Sequence, residues 1–197
     1  MMAEYHAPYP SKVGSANNAM EWQQYHAHRM AVFGYIRANL SIPPKSCLDI
    51  GCGLAIETGM LQREFSCSLH FLEGDADSTN PCSRLTRYGS ADSMRFYLPV
   101  EELRRSWDSR GLDYTFVDAR APKIEDGLTF DLIYSFRSCG FHYPLSTYVE
   151  LIRKHSGENT RLLFDLRDYA DQGIAFKVVD VIMEFRKSKL CHIELAA

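Results

Sequence analysis

The chain has no C-x-x-C pair, no excess of positive charge and no apolar run near the ~20 residues that a membrane helix needs. Each absence closes a class of function. Without C-x-x-C there is neither a zinc ribbon nor a thioredoxin-type redox site. Six cysteines in 197 residues, at 47, 52, 67, 82, 139 and 191, fall below the density of a disulfide scaffold. Reduced thiols in a cytoplasmic protein are the simplest reading. Lys and Arg number 22 against 25 Asp and Glu, a net charge of −3, which disfavours nucleic acid, whose binders carry a basic face. The longest apolar stretch, Ile174 to Met183, is interrupted by Lys177 and Asp180, so no membrane span is expected. Met1 to Ser15 lacks a basic stretch followed by an apolar one, so no secretory leader is expected either. The H-x-x-E-H and paired-His patterns are missing, and no metal is expected. What is present, 46% hydrophobic and 24% charged residues, describes a globular core with a solvated surface, one domain of ordinary size with a terminal extension.

Strand and helix patterns alternate along that domain. Residues 1–18 are rich in Pro, Ala, Ser and Asn and read as an irregular arm. A helical spacing runs from Asn18 through Trp22, Tyr25, Val32, Phe33, Ile36 and Leu40, and Pro43-Pro44 stops it. Ser46 to Ile50 predicts a buried strand turning into Gly51-Cys52-Gly53, after which Leu54, Leu61 and Phe65 line a helix face. Leu69 to Leu72 is a second strand, ending in Glu73-Gly74-Asp75. A long polar stretch leads to a charged helix over Val100 to Ser109, closed by Gly111. Further strands are Tyr114–Val117 before Asp118, Phe130–Tyr134 before Ser135, and Arg161–Phe164. Between the last two, Pro144 opens a helix with Leu145, Tyr148, Val149 and Ile152 inward, ended by Gly157. Phe176–Phe185 and Leu190–Leu195, separated by Arg186 to Lys189, predict an antiparallel hairpin. Five β–α units and a hairpin predict an α/β sheet, mostly parallel, with helices on both faces. Residues 1–44 are then an arm and helix, and 45–197 the domain.

Ligands of such sheets bind beyond the carboxyl ends of the strands, so the residues after each strand matter most. Glycines at 51 and 53 permit a sharp turn and close approach by a ligand, and a purely structural turn fits them equally well. Glu73, twenty-two residues beyond Gly51, is placed to accept ribose hydroxyls; Asp75 competes for the role, and a solvated turn acid fits equally well. Asp118, followed by Ala119, ends the third strand, where an acceptor meets an adenine amino group or merely forms a turn. Three acids after neighbouring strands beside a glycine turn form the strongest signal in the chain.

Asp49-x-Gly51-x-Gly53-x-Ala55, Glu73, Asp118 and the terminal hairpin resemble the class I S-adenosylmethionine-dependent methyltransferases, over roughly Lys45 to Leu195. The Asp two residues before the first glycine, and Ile56 where a third glycine is required, separate the pattern from the nicotinamide fingerprint. The resemblance implies a Rossmann-like three-layer αβα sandwich with strand order 3-2-1-4-5-7-6 and strand 7 antiparallel. It implies S-adenosylmethionine as cofactor, S-adenosylhomocysteine as product, and an N-terminal helix covering the cofactor mouth. Asp49, Gly51, Cys52 and Gly53 would surround the methionine portion, with Glu73, Gly74 and Asp75 at the ribose. Asp118 and Ala119 would meet the adenine, and Ser135 and Phe136 would lie beside the sulfonium. Ser135-Phe-Arg-Ser-Cys-Gly-Phe-His-Tyr-Pro144 is similar to a stretch of small bacterial and phage methyltransferases, some labelled sugar O-methyltransferases, which implies a small hydroxyl compound as acceptor.

An alcohol needs a base to become a good nucleophile near neutral pH, and His142, in the loop after the fourth strand, is the candidate. Capping the next helix or packing on Tyr143 is its bland alternative. Arg137 suits an acidic group on the substrate, the cofactor carboxylate or a surface ion pair, and Tyr143 is a second candidate substrate contact. Tyr25, His26 and His28 belong to the N-terminal helix, Tyr25 on its apolar stripe. Acceptor recognition falls to the arm, the 137–144 loop and the 76–112 segment with Arg84, Arg87, Tyr88, Arg95, Phe96 and Tyr97. Two other readings remain open: a nicotinamide-dependent oxidoreductase, and a module that keeps the cofactor fold without turnover.

Overall fold

The computed structural model describes residues 27, 30–39, 43–75, 99–168 and 170–196. The arm, Tyr25, His26, His28 and residues 76–98, with Arg84, Arg87, Tyr88, Arg95, Phe96 and Tyr97, lie outside them. Backbone contacts separate a unit ending at Ser41 from the unit Ile42–Ala197. Of the first, residues 30–39 form helix α1, on which Val32 and Ile36 share a face one turn apart.

The second unit begins with β1 (Ser46–Ile50), then α2 (Ile56–Phe65), β2 (Ser68–Glu73), α3 (Val100–Ser109), β3 (Tyr114–Asp118) and β4 (Phe130–Ser135). A single 3-10 turn, Leu145–Thr147, precedes α4 (Val149–Lys154), β5 (Ser156–Arg167), β6 (Phe176–Glu184) and β7 (Ser188–Leu195). The strands form one sheet in the order β3-β2-β1-β4-β5-β7-β6. The first five are mutually parallel and β7 runs antiparallel to both neighbours, the order and polarity that the resemblance implies. No helix of the described residues is long and apolar enough to cross a membrane.

Register assigns the layers. Asp49 stands opposite Phe71; Thr58 of α2 bonds Asp49, and Trp107 of α3 packs on Phe71 at 4.9 Å. Helices α2 and α3 therefore share one face. Leu72, the next residue of β2, points the other way and joins the core of Leu48, Ile133, Leu145, Tyr148 and Ile152 under α4. Burying Trp107, Phe71, Phe130 and Phe164 almost completely contributes roughly 1.5–3 kcal/mol for each such large apolar side chain.

Four expectations need correction. Leu54 is not on the α2 face, because Ala55 takes a left-handed conformation (φ 48°) that delays the helix to Ile56. Its buried side is Ile56, Glu57, Thr58, Gly59 and Leu61 instead. The helix expected from Pro144 is broken at Tyr148 (φ −124°, ψ 17°), whose hydroxyl reaches across to the Ala119 carbonyl at 3.1 Å. Gly157 does not end it, since it lies within β5, which extends five residues earlier than Arg161. The β3–β4 crossover, residues 119–129, contains no helix, so the β–α units number fewer than five.

Candidate functional site

Parallel strands place the ends of β1 to β5 along one edge of the sheet. The turn after β1 uses left-handed backbone at Gly51 (φ 72°), Gly53 (φ 50°) and Ala55 (φ 48°). Its amides face β2: Gly51 N–H donates to the Leu72 carbonyl at 2.7 Å and Gly53 N–H to Glu73 Oε2 at 2.8 Å. Gly74 N–H donates to Glu73 Oε1 at 3.1 Å. Its carbonyls face α3: Trp107 Nε1–H donates to Gly53 O at 3.0 Å, and the Arg110 guanidinium to Leu54 O and Ala55 O. Glu73 is thus the hub of the turn. Burial pushes its pKa up, against the pull of the two amide bonds.

Asp49 is buried at the floor and accepts Thr58 Oγ1–H at 2.9 Å. Burial raises it well above the usual carboxylate range; the Thr58 bond opposes this, and Glu57 and Glu73 add to it. Cys52 is a half-buried thiol that burial, then Glu73 and Asp49, keep protonated. Glu73 and Asp118 are register partners on β2 and β3, and Ala119 N–H closes onto the Glu73 carbonyl at 3.0 Å. Asp118 is exposed, with Oδ1 accepting Arg120 N–H at 2.9 Å. Asp75 is committed elsewhere: its Oδ1 accepts the first amide of α3, Val100 N–H, at 3.0 Å.

Beyond β4, Ser135 is fully buried, donating to Ile50 O at 2.8 Å and accepting Cys139 N–H at 2.9 Å. It staples the ends of β1 and β4. Ser138 fills the space beside Gly51, where an added Cβ would overlap its Oγ and Cβ. Its hydroxyl shares a 2.7 Å hydrogen bond with Tyr143 OH, a phenol that burial pushes well above its usual value. Phe136 packs near Phe185, centroids 5.9 Å apart. Arg137 adopts φ 51°, a conformation that costs a non-glycine residue about 1–2 kcal/mol. His142 is half-buried, and its backbone N–H donates to Ser138 O at 2.8 Å. Burial lowers its imidazole pKa, and the positive charges of Arg167 and Arg137 lower it further.

No family model matches the sequence, and no curated protein sequence matches it. Solved structures do. A Pyrococcus horikoshii protein superposes with a TM-score of 0.57 at 13% identity, over 88% of this chain and 92% of that one. A Pyrococcus furiosus methyltransferase matches at TM-score 0.52 and 16% identity, over 84% and 81%. A ribosomal protein L11 methylase from Lactobacillus delbrueckii subsp. bulgaricus matches at 0.51 and 13%, over 85% and 77%. The strand order and the single antiparallel strand decide it. The fold is that of the class I S-adenosylmethionine-dependent methyltransferases.

Within this methyltransferase fold, the edge brings together Asp49, Gly51, Cys52, Gly53, Glu73, Gly74, Asp118, Ala119 and Ser135. Asp75 turns to α3 instead. Phe136 and Arg137 turn toward the β6–β7 connection, at Phe185. Sequence reasoning missed Thr58, Trp107, Arg110, Ser138 and Arg167. Trp107 alone carried a signal, as the largest apolar residue of a charged amphipathic helix beside the ligand edge. No group of three or more side chains suited to holding a metal ion occurs among the described residues.

Proposed function

We propose that the protein is an S-adenosylmethionine-dependent methyltransferase of a small molecule, with a hydroxyl of a sugar or similar compound as acceptor. The observation that carries this reading is the 2.8 Å bond from the glycine turn to Glu73, with Asp118 opposite Glu73 in register. The residues fit the cofactor. Each Glu73 oxygen accepts one amide of the turn just described, and a carboxylate has about four acceptor sites, so capacity remains for two ribose hydroxyls. Asp118 stands beside it for the adenine amino group. A ligand approaching Gly51 meets the Ser138 hydroxyl in place of a bare backbone.

When bound, S-adenosylmethionine supplies an electrophilic methyl group on a positively charged sulfur and leaves as S-adenosylhomocysteine. The chain's own part is alignment and proton transfer. His142, neutral near pH 7 because its pKa lies below the ordinary 6.5, accepts at a ring nitrogen the proton that the acceptor hydroxyl loses. Such a base supplies roughly 10²–10⁴-fold in rate.

Calorimetric titration with S-adenosylmethionine, and with a nicotinamide dinucleotide as control, tests the reading. Saturable binding of the first alone is expected. A folded protein that binds neither cofactor overturns it. Ser138 in the space beside Gly51 favours a second reading, a module that keeps the fold without turnover. That reading requires S-adenosylmethionine to bind no better after Ser138→Gly opens the space and to be consumed by neither protein.

A further inference from the structure

Resting on the methyl-transfer reading, we propose that Gln172 is a positioning residue for that reaction, a buried amide that clips together the two ends of the loop carrying His142. Gln172 lies in the connection from β5 to β6, and its side chain is buried. Its Nε2–H donates to Gly140 O at 3.0 Å, and its Oε1 accepts Leu145 N–H at 3.1 Å. One planar group therefore joins Gly140 to Leu145, with His142 and Tyr143 between them. A carbonyl is met only by the amide NH2 and an N–H only by the amide oxygen, so the partners fix how the group is turned.

The backbone around the clip is tied in the same sense. Gln172 O accepts Ser146 N–H at 3.1 Å. Gly173, at φ 67°, brings the connection so close that an added Cβ would lie 2.6 Å from Ser146 Oγ. Within the loop, Gly140 N–H donates to Tyr143 O at 2.7 Å and His142 N–H to Ser138 O at 2.8 Å. The Phe141 ring meets the imidazole edge-on at 4.9 Å. Fixing Gly140 and Leu145 thus restrains the imidazole between them.

Satisfying a lone acceptor does not account for the Gln172 amide. Gly140 O already accepts Arg167 N–H at 3.0 Å, so the second donor is not needed to keep that carbonyl paired. What the side chain adds is the link from Gly140 to Leu145. A general base must stand within hydrogen-bond reach of the hydroxyl whose proton it takes, and a loop held at both ends meets that need. The clip also stands apart from the cofactor contacts. Glu73 and Asp118 end β2 and β3 on one side of β1, whereas β4 and β5 lie on the other.

The test follows His142 itself. Histidine side-chain NMR over pH and hydrogen exchange of the His142 amide are recorded on wild type, Gln172→Met, Gln172→Glu and Thr160→Val. Calorimetry measures S-adenosylmethionine affinity on the same samples. Thr160→Val is the stability control: it cuts the bonds from Gly157 N–H and to Phe130 O at the other end of β5. Gln172→Met should speed exchange of the His142 amide about tenfold. It should also move the His142 midpoint up toward the ordinary 6.5, because burial and the charges of Arg167 and Arg137 now hold it lower. Gln172→Glu keeps the acceptor for Leu145 but, ionised, has no donor for Gly140 O. Its fast exchange should return toward the wild-type rate at equal pH as the carboxyl takes up a proton. Thr160→Val should move neither signal, and S-adenosylmethionine affinity should survive in all four proteins. A His142 midpoint and amide exchange unmoved in both Gln172 variants, or moved as far by Thr160→Val, overturn the proposal. Loss of cofactor affinity in folded Gln172 variants overturns it too, by assigning the residue to the cofactor. A wild type that ignores S-adenosylmethionine while its imidazole answers to Gln172 overturns the methyl-transfer reading and leaves the clip standing.

Discussion

Gly51→Ala is the sharpest perturbation of the site, because two separable penalties meet at one atom. At φ 72° an alanine pays about 1–2 kcal/mol for the left-handed conformation. Its methyl group also overlaps Ser138 Oγ and Cβ, and overpacking of this kind costs typically 1–3 kcal/mol. Together they predict a loss of about 2–5 kcal/mol, a fall in Tm on the order of 10 °C for a chain of this size. Urea unfolding of four proteins separates the parts: wild type, Gly51→Ala, Ser138→Gly and the double variant. In the Ser138→Gly background the overlap is gone, so Gly51→Ala should cost only the backbone share, about 1–2 kcal/mol. Ser138→Ala keeps the offending Cβ and should relieve little. Equal costs for Gly51→Ala in the wild-type and Ser138→Gly backgrounds would show that Ser138 does not occupy that space, and the account of the turn would be wrong.

Other predictions concern the same edge and its protons. Trp107→Phe removes the indole N–H from the Gly53 carbonyl and should destabilise by about 1–3 kcal/mol while weakening S-adenosylmethionine binding; unchanged affinity by calorimetry would detach α3 from the site. His142→Gln should cut turnover roughly 10²–10⁴-fold with cofactor affinity intact, and wild-type turnover would remove the base role. His70 is held below the ordinary imidazole value of 6.5 by burial, with the charge of His155 adding. Its folded pKa is depressed, so the unfolded chain binds the proton first; stability is full above 6.5 and is lost as pH falls through it. His70→Leu should therefore flatten the decline in Tm between about pH 7 and pH 5.5, and an unaltered slope would refute the assignment. Asp49 has the opposite sense. Burial raises its folded pKa above the ordinary 3.8, so its contribution is full below 3.8 and is lost as pH rises through the folded value. Asp49→Asn should then raise Tm at pH 7 and make little difference near pH 4.

The strands most legible in the sequence are those whose ends carry the site. Ser46–Ile50, Leu69–Leu72 and Tyr114–Val117 are short apolar runs closed by glycine or a carboxylate, and the structure starts and stops them there within a residue. β5 was legible only in its apolar second half. Its first half, Ser156 to Thr160, is polar and contains Gly157, so composition argues for a loop. It is strand because β4 lies alongside, with Ser156 opposite Phe130 and Thr160 Oγ1 donating to Phe130 O at 2.6 Å. Pairing, not propensity, decides such segments.

The same division runs through the candidate site. Carboxylates that follow strands are visible because their place in the fold follows from their place in the chain. Their partners are not: Trp107 reaches Gly53 across 54 positions, and Arg110 reaches Ala55 across 55. Gly51 makes the physical reason concrete. A glycine in sequence reports that something lies too close for a Cβ, without saying whether that thing is a ligand or the chain itself. Here Ser138, fixed by Tyr143, takes the space, so the glycine is accounted for by packing before any ligand arrives. The weight of the methyl-transfer reading therefore shifts from the glycines to Glu73. Packing explains why this residue is close to Gly53 and Gly74, but an apolar contact or a neutral acceptor would have closed the turn without burying a carboxylate.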